Sequence, residues 1–543
     1  MVRDTPPEYF QPRRARFTVP YQHRDAEQEA GAVLAGGEPL LLVGGAMAGK
    51  SRLGEYLIRE LYPDRPLWTP HPRQLPSFLA AGVPERAVMW LDELHEFLNV
   101  DGLRTDWVTV LTRRGAVVVA TMPGVERARF TPSGEVRHPQ FAAVERFSAV
   151  QVLGDDPTEN ARLARALETP EQRASIQQVG LGAFLGGGPI AQARLQDNRD
   201  THPLGCAMVQ AAADWRRIGL SNIPQSTLEM LAPHYLPAAH RHHRGETHED
   251  ARGWATERVD QVVQLLEVTG TDTLRCSDYI VDHLTPTTAG PGEIRPIPDV
   301  TWQAGAAHPS AGAVELLTFG VSAYRVQRPD IAIAAFRRGA DSGHRDAAAT
   351  ALVNLGVLEE EQGNLGAVRA AYQQALATGH PDAAPTAAIT LGYLEQEHGN
   401  LGAARAAYQQ AITTGHPSQA PTALVNLGNL EREHGNLEAA RAAYQQAITT
   451  GHPSQAPTAL VNLGILEEER GNLGAARAAY QQALITGHPD VVPQAAFNLG
   501  YLERGQGNVD AARAAYQQAL NTGHPDVAPQ AAIDLKRLEE GPH

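Results

Sequence analysis

The sequence predicts a multidomain protein with an N-terminal α/β domain built on a parallel sheet, a helical middle region and a C-terminal all-α solenoid. Near the N-terminus, short apolar strands alternate with helical stretches, which is typical of a parallel sheet covered by helices. Towards the C-terminus a unit of 36 residues recurs, and a fixed period of this size marks a solenoid. The predicted boundaries are 1–25 for an N-terminal arm, 26–154 for the α/β domain, 155–298 for the middle region and 299–543 for the solenoid.

The α/β domain is predicted to contain five strands, each an apolar run of strand length. They span residues 40–43, 66–69, 88–91, 116–121 and 149–153, with helices between them. The middle region is interpreted as a helical lid followed by a winged-helix-like module, because 159–167, 205–217 and 254–268 have the periodicity of amphipathic helices. The stretch 285–298 contains proline and glycine and is interpreted as a linker into the solenoid.

A glycine-rich loop follows the first predicted strand. It consists of Gly44, Gly45, Ala46, Met47, Ala48, Gly49, Lys50 and Ser51, the full Gly-x-x-x-x-Gly-Lys-Ser pattern. Backbone N–H groups of such a loop and of the helix after it bind phosphate groups. Lys50 is expected to reach the β- and γ-phosphates, and the hydroxyl of Ser51 is expected to ligate Mg²⁺. The pattern therefore predicts a nucleotide-binding P-loop NTPase domain.

Two further strand ends are expected to complete this site. The apolar strand at 88–91 leads into Asp92 and Glu93, an arrangement in which the Asp holds the Mg²⁺ shell and the Glu orients or deprotonates the attacking water. Thr121 ends a neighbouring apolar strand, and it either contacts the γ-phosphate or the water or is an ordinary strand threonine.

Arg113 and Arg114 precede the strand that ends at Thr121. They are either a charge-stabilising finger towards a neighbouring subunit or solvated residues at a helix C-terminus, where the helix dipole favours cations.

Each solenoid unit reads as two helices. A Leu-Gly pair recurs with the 36-residue period, with its leucine at Leu355, Leu391, Leu427, Leu463 and Leu499. A tyrosine recurs with the same period, at Tyr372, Tyr408, Tyr444, Tyr480 and Tyr516. In one unit the helices are predicted at 387–397 and 401–413, with Gly-Asn between them and Gly-His-Pro after the second. Small residues such as Gly392 are expected to allow close helix approach, with the tyrosines filling the space between helices.

Two ladders of polar residues in the solenoid are candidates for partner binding. The position before the repeating leucine holds Asn354, Asn426, Asn462 and Asn498, with Thr390 in the remaining unit. Asparagine amides can pair with both the N–H and the C=O of an extended peptide, although asparagine is also simply frequent at this position. Glutamates farther along the same helices either favour a basic partner or form a solvated face; they are Glu361, Glu397, Glu433 and Glu469.

These motifs resemble two known families. The repeats resemble tetratricopeptide repeats and the related Sel1-like class, with a period of 36 residues where about 34 is usual. The order of P-loop, Asp-Glu strand end, sensor strand, lid, winged-helix-like module and repeats is similar to STAND-type signalling ATPases, especially actinobacterial proteins that join such an ATPase to these repeats. The resemblance implies bound ATP or ADP with Mg²⁺, hydrolysis of ATP, a nucleotide-dependent oligomer and a protein or peptide ligand on the concave face of the repeats.

Composition narrows the class of protein. The chain has 543 residues, a net charge of −15 and 43% hydrophobic residues, which fits a globular protein and argues against a general binder of nucleic acids or anionic membranes. No apolar run is long enough to span a bilayer, and the first residues lack a signal-peptide core, so a cytoplasmic location is expected. Cys206 and Cys276 are expected to be reduced thiols. Histidines 240, 242, 243 and 248 are interpreted as an exposed loop rather than a metal site.

The main prediction is an ATP-hydrolysing switch that senses a protein through its repeats. Two alternatives stay open: a repeat scaffold whose loop binds nucleotide without turnover, and a transcription regulator that uses the winged-helix-like module. No helix-turn-helix pattern with a basic recognition helix is visible for the second. A P-loop binds phosphates rather than the base, so the motif does not distinguish ATP from GTP.

Overall fold

The computed structural model describes residues 1–6, 9–10, 21–82, 85–98, 103, 106–130, 140–154, 156–165, 169–240, 245–259, 263–285 and 295–540. The chain divides into two compact units, residues 1–361 and residues 362–543. Among the residues that the structure describes, no helix is both long and apolar enough to cross a lipid bilayer.

The first unit contains the predicted parallel sheet. Its strands are β1 (Leu40–Gly44), β2 (Leu67–Trp68), β3 (Val88–Leu91), β4 (Val117–Pro123) and β5 (Ser148–Gln151). The spatial order is β2–β3–β4–β1–β5, and every pair is parallel. The helices are α1 (Glu27–Ala35), α2 (Lys50–Leu61), α3 (Leu75–Ala81), α4 (Leu94–Leu98), α5 (Trp107–Arg113), α6 (Gly124–Arg129) and α7 (Phe141–Val144). The five predicted strands are confirmed, with ends that differ by no more than two residues.

Apolar side chains of β1 pack on both faces of the sheet, because successive residues of a strand point to opposite sides. Leu41 and Val43 belong to an apolar cluster with Trp107 of α5, whereas Leu40 and Leu42 belong to a second cluster with α1 and α2. All five residues of β1 are buried, which explains why the strand reads as a continuous apolar run. The loop after β1 therefore extends from a fully buried strand.

The middle region is mainly helical and contains a small antiparallel sheet. Its elements are α8 (Pro157–Ala164), α9 (Pro170–Val179), α10 (Leu181–Leu185), α11 (Gly188–Asp197), α12 (Pro203–Arg217), β6 (Ile223–Pro224), α13 (Gln225–Leu231), α14 (His248–Thr256), β7 (Leu266–Val268), β8 (Thr273–Cys276) and α15 (Asp278–Leu284). The predicted helix at 254–268 is wrong, because α14 ends at Thr256 and β7 pairs with β8. A short apolar run is compatible with a helix or a strand, and here the pairing with β8 stabilises the strand.

Helical repeats follow in both units. The first unit ends with α16 (Asp299–Ala307), α17 (Ala313–Arg325), α18 (Pro329–Ala340) and α19 (Arg345–Glu361). The second unit contains α20 (Leu365–Ala377), α21 (Ala383–Glu397), α22 (Leu401–Thr413), α23 (Gln419–Glu433), α24 (Leu437–Thr449), α25 (Gln455–Glu469), α26 (Leu473–Ile485), α27 (Val492–Gly505), α28 (Val509–Asn521) and α29 (Ala528–Glu540). The predicted solenoid is thus confirmed in the form of a helical repeat array. The linker predicted at 285–298 lies largely outside the described residues.

Tyrosines of the second helix in each unit fill the space between the helices. Tyr444 is completely buried, and a Cβ atom added to Gly428 would lie 2.4 Å from its ring. The pairs Gly392–Tyr408, Gly464–Tyr480 and Gly500–Tyr516 repeat this contact. At these four positions the glycine after the repeating leucine is therefore required by the close approach of a ring, as the periodic pattern predicts.

A recurring polar contact joins neighbouring repeats within residues 362–543; we call it the clasp. In each clasp an arginine of one repeat pairs with a buried glutamate in the first helix of the next repeat. The asparagine in the turn after that helix also donates to the carboxylate. The clasps are Arg369–Glu395–Asn400, Arg405–Glu431–Asn436, Arg441–Glu467–Asn472 and Arg477–Glu503–Asn508. The hydrogen bond from arginine, together with that from asparagine, lowers the pKa of Glu431, so this carboxylate is ionised at neutral pH.

Candidate functional site

The glycine-rich loop connects β1 to α2 at the carboxyl edge of the sheet. Gly44 ends β1 where an added Cβ atom would lie 2.2 Å from the carbonyl oxygen of Val152, so no side chain fits there. Gly49 has a φ of +92° and Met47 a φ of +62°, both in the left-handed region. A loop of this kind that leads into a helix N-terminus presents backbone N–H groups to an anion.

Lys50 is the first residue of α2, and its side chain is held inside the loop. Only 5% of it is exposed. Its ammonium donates to the carbonyl oxygens of Gly44, at 3.1 Å, and Gly45, at 2.7 Å. A buried lysine needs such acceptors, because an unpaired buried charge is costly. The positive charge is therefore fixed beside the N–H groups of the loop.

Four predicted site residues from three elements meet beside the loop. Asp92, after β3, accepts hydrogen bonds at one carboxylate oxygen from the hydroxyls of Ser51 (2.8 Å) and Thr121 (2.6 Å). Thr121 is fully buried, and its hydroxyl also accepts from the N–H of Glu93 at 2.9 Å. Carboxylate and hydroxyl oxygens are ligands that Mg²⁺ prefers, so Ser51 and Asp92 fit the predicted ion.

Glu93 has an unusual backbone conformation for its residue type. Its φ of +58° lies in the left-handed region, where a side chain with a Cβ is strained by about 1 kcal/mol or more. Such strain persists where the surroundings enforce it, and it is concentrated at functional sites. The bond from its N–H to Thr121 is one such constraint. A carboxylate oxygen of Glu93 lies 3.5 Å from Nδ1 of His95.

His95 links Glu93 to a group of charged residues that sequence reasoning missed. We call His95, Glu126, Arg129, Arg216 and Asp278 the buried charge cluster. Arg216 pairs with Glu126 at 3.1 Å and with Asp278 at 3.0 Å, while Arg129 pairs with Glu126 at 2.5 Å. Burial lowers the pKa of His95 despite the nearby carboxylates, so the ring is neutral at neutral pH. The cluster joins α4, α6, α12 and α15, which are far apart in the chain.

Arg24 lies against the outside of the loop. Its guanidinium donates to the carbonyl oxygens of Ala48 and Leu153, each at 2.7 Å, and forms a buried ion pair with Glu159 at 2.7 Å. A Cβ atom at Gly49 would lie 2.5 Å from this guanidinium. The segment before the α/β domain therefore supports the loop, which the motif alone did not indicate.

Two elements of the middle region also reach the loop. On α10, an added Cβ atom at Gly182 would lie 1.8 Å from the carbonyl oxygen of Met47. On α15, a carboxylate oxygen of Asp282 accepts a hydrogen bond from the N–H of Ala46 at 2.5 Å. Asp282 lies 236 residues beyond Ala46, so no local pattern could have indicated this contact.

Other candidate residues do not join this site. Arg113 and Arg114 are exposed at the end of α5, which leads into the amino end of β4 and hence the opposite edge of the sheet. His240 pairs with Asp200, whereas His242 and His243 lie outside the described residues. Across the described part of the chain, no three His, Cys, Asp or Glu side chains gather in a way that could hold a metal ion.

Both cysteines are free and buried. Burial raises the pKa of Cys206 to about 12 and also raises that of Cys276, so neither is a reactive thiolate at neutral pH.

The predicted asparagine ladder is engaged within the solenoid. Asn354 and Asn426 are buried, and the carboxamide oxygen of Asn426 accepts from the hydroxyl of Tyr393. Asn462 donates to Asn429 at 3.1 Å, and Asn498 accepts from Gln494 at 3.0 Å. Peptide recognition by this ladder stays a prediction, and it would require these amides to exchange neighbours for a ligand.

Exposed side chains on the same helices are more available to a partner. Tyr393 is 49% exposed and Tyr501 is 52% exposed, each directly after the glycine that follows a repeating leucine. Glu397, Glu433 and Glu469 are exposed as well, unlike the buried glutamates of the clasps. The two aromatic residues carried a signal, since the Leu-Gly-Tyr triplet repeats at both, but sequence reasoning passed over it.

Comparison with known proteins identifies the repeats. The family model described as "Tetratricopeptide repeat" matches residues 317–388, 389–457, 429–492 and 461–528. Residues 317–528 are tetratricopeptide repeats. No curated protein matches the sequence significantly.

The chain is also similar, over part of its length, to several solved structures. BtubC (BKLC) from P. vanneervenii is 19% identical, with 39% of this chain and 91% of that chain covered and a TM-score of 0.33. The C-terminal part of a TPR repeat-containing protein from Cytophaga hutchinsonii is 13% identical, with 42% and 91% covered and a TM-score of 0.34. PilW, a type IV pilus biogenesis factor, is 16% identical, with 40% and 98% covered and a TM-score of 0.31.

Proposed function

We propose that the chain is an ATP-hydrolysing switch whose tetratricopeptide repeats bind a protein or peptide partner. The observation that carries the proposal is the convergence of Ser51, Asp92, Glu93 and Thr121 beside Lys50. These residues come from three elements and meet at the carboxyl edge of one parallel sheet, where open α/β sheets bind their ligands.

Each residue has a distinct role in this proposal. The loop N–H groups and Lys50 bind the phosphates, and Ser51 and Asp92 hold Mg²⁺, which when bound neutralises charge on the β- and γ-phosphate oxygens. Glu93 accepts the proton of the attacking water. Thr121 positions both acids, because its hydroxyl donates to Asp92 and accepts from the N–H of Glu93.

The cation at position 50 supports a phosphate-binding role. Lys50 and Lys536 are the two lysines among 46 lysines and arginines, so arginine serves as the cation almost everywhere else in the chain. A lysine ammonium is a compact point charge on a flexible stem, whereas an arginine guanidinium is a broad planar fork. The compact ammonium suits the tight space where Lys50 contacts two loop carbonyls.

The partner we propose for the repeats is a basic segment with apolar side chains. Exposed Tyr393 and Tyr501 offer aromatic contacts, a type enriched at protein interfaces. The exposed carboxylates of Glu397, Glu433 and Glu469 provide a complementary negative field.

Nucleotide binding and phosphate release by the full chain with Mg²⁺ test the enzymatic half, with ATP and GTP compared. Lys50→Ala is expected to weaken nucleotide binding. The matched control is Lys536→Ala, which replaces the second of the two lysines and lies in α29. Glu93→Gln is expected to retain binding and to lower turnover by roughly 100-fold or more. Tight ATP binding without turnover in the unaltered chain would instead favour the repeat scaffold. Absence of nucleotide binding in every variant that keeps the loop and Lys50 would refute a nucleotide site.

Pull-down with synthetic peptides tests the other half. A basic peptide with aliphatic side chains should bind the full chain, and Tyr393→Ala should weaken it more than Tyr9→Ala, an exposed tyrosine near the N-terminus. Equal binding of an acidic peptide of the same length would contradict the proposed partner class.

A further inference from the structure

The carboxylate of Asp282 lies at the anion-binding face of the loop. The N–H of Ala46 donates to its Oδ2 atom at 2.5 Å, and a Cβ atom at Gly45 would lie 3.6 Å from the same oxygen. In the proposed function these N–H groups bind phosphate. Carboxylate and phosphate oxygens are both anionic acceptors that form strong bonds with such donors. The two therefore compete for one donor.

Asp282 lies on α15, and the N-terminal end of this helix is held in place by its contacts. Asp278, four residues earlier and thus on the same face of α15, pairs with Arg216 at 3.0 Å. Arg216 is 4% exposed and also pairs with Glu126. The ring of Tyr279 packs against Gly188, where an added Cβ atom would lie 2.5 Å away. The placement of Asp282 is therefore built into the packing of α15 and does not depend on one flexible side chain.

The charges around Asp282 fit this placement. Burial raises its pKa to about 6, while the hydrogen bond from Ala46 and the charge of Lys50 favour the ionised form and Asp278 and Glu126 oppose it. At neutral pH the carboxylate is still mainly ionised. An anion therefore lies where the proposed function places the phosphate of a nucleotide.

We infer that Asp282 is an internal competitor of nucleotide phosphate, so that nucleotide binding requires the contact between α15 and the loop to break. The inference rests on the proposed function, because Asp282 is inferred to compete for the same nucleotide site. Since Asp278 of the same helix belongs to the buried charge cluster, release of Asp282 also strains the contacts that lead through His95 to Glu93. The middle region is thereby coupled to occupation of the loop.

Equilibrium titration of the full chain with a fluorescent ATP analogue and Mg²⁺ tests the inference. Asp282→Asn retains the shape and loses the charge, and Asp282→Ala removes the acceptor. Asp272→Asn, at an exposed position of the β7–β8 hairpin, is the matched control. Because a competing charge-assisted bond is lost, we expect the dissociation constant to fall about tenfold in both Asp282 variants and to stay unchanged in the control.

Hydrogen exchange separates competition from a general charge effect. In the unaltered chain, nucleotide should accelerate exchange of the amides of α15. In Asp282→Ala no carboxylate has to leave the loop, so nucleotide should change that exchange little. If the unaltered chain binds nucleotide and the Asp282 variants bind it equally well, or if α15 does not respond, the inference is overturned and the proposed function stands. If no variant binds nucleotide, Asp282→Ala included, both are overturned.

Discussion

Replacing Gly428 with alanine tests how closely the helices of a repeat approach. An alanine Cβ would lie 2.4, 2.6 and 2.9 Å from three ring atoms of Tyr444. Carbon atoms in contact normally stay about 3.5–4.0 Å apart, so ring or helix must move by roughly 1 Å. The ring is fully buried, and its hydroxyl donates to Asn429 at 2.7 Å, so a shift disturbs the packing and this bond.

The magnitude follows from two opposing contributions. Overpacking a dense core costs about 1–3 kcal/mol, whereas alanine gains about 0.5–1 kcal/mol over glycine in a helix. The expected net destabilisation is about 1–2 kcal/mol. Gly402→Ala is the matched control: Gly402 is exposed in α22, and no atom lies within 4 Å of its added Cβ. This variant should be neutral or more stable by up to about 0.5 kcal/mol.

Hydrogen exchange measured on peptides of α23 and α24 reports this difference locally, which suits a chain of two units that need not unfold together. Gly428→Ala should accelerate exchange there by about 5- to 30-fold, the factor that corresponds to 1–2 kcal/mol, and Gly402→Ala should not. Equal exchange in the two variants would refute the reasoning that a ring requires the glycine.

Three further predictions follow from the contacts of single side chains. Glu431→Gln weakens one clasp and should destabilise that repeat by about 1 kcal/mol, a modest value because Arg405 is 37% exposed and its ion pair is screened by solvent. Hydrogen exchange in α22 and α23 should be faster in this variant, and it should be unchanged in the control Glu433→Gln. Burial raises the pKa of Glu126, but the charges of Arg129, His95 and Arg216 outweigh burial and lower this pKa to about 2. The ionised Glu126 therefore stabilises the fold fully above pH about 4.5, and this stabilisation is lost as the pH falls towards 2. Acid unfolding of Glu126→Gln should therefore show a weaker pH dependence in that window, by about 3 kcal/mol in the free energy of unfolding, and an unchanged dependence would contradict it. Thr121→Val should lower kcat by roughly 10- to 100-fold with little change in nucleotide affinity, and loss of binding instead would assign Thr121 to the binding step.

The repeats were predictable because each unit meets the same neighbours as the last. The second helix predicted at 401–413 coincides with α22, since Gly-Asn before it and Gly-His-Pro after it are local signals. The first helix begins at Ala383, four residues before the predicted start. Pro385 lies in its first turn, where proline costs no hydrogen bond, so the helix can begin before the proline.

The candidate site was predictable only where its residues carry local patterns. Lys50, Ser51, Asp92 and Thr121 follow strands or begin a helix, and parallel strands bring such positions to one edge. Arg24, His95 and Asp282 reach the loop or its acids through tertiary packing across the chain. Their burial and their polar contacts depend on neighbours that no window of sequence contains.

The clasp has a consequence for the length of the repeat array. Its arginine and glutamate stand 26 residues apart, and residues 409–428 are identical to residues 445–464. Removing residues 409–444 would therefore bring Arg405 to the same distance from Glu467, with Asn472 in its usual place beside it. None of these contacts depends on the number of repeats, so a whole repeat can be added or removed without a new interface. The length of the array therefore changes in equal steps of one repeat.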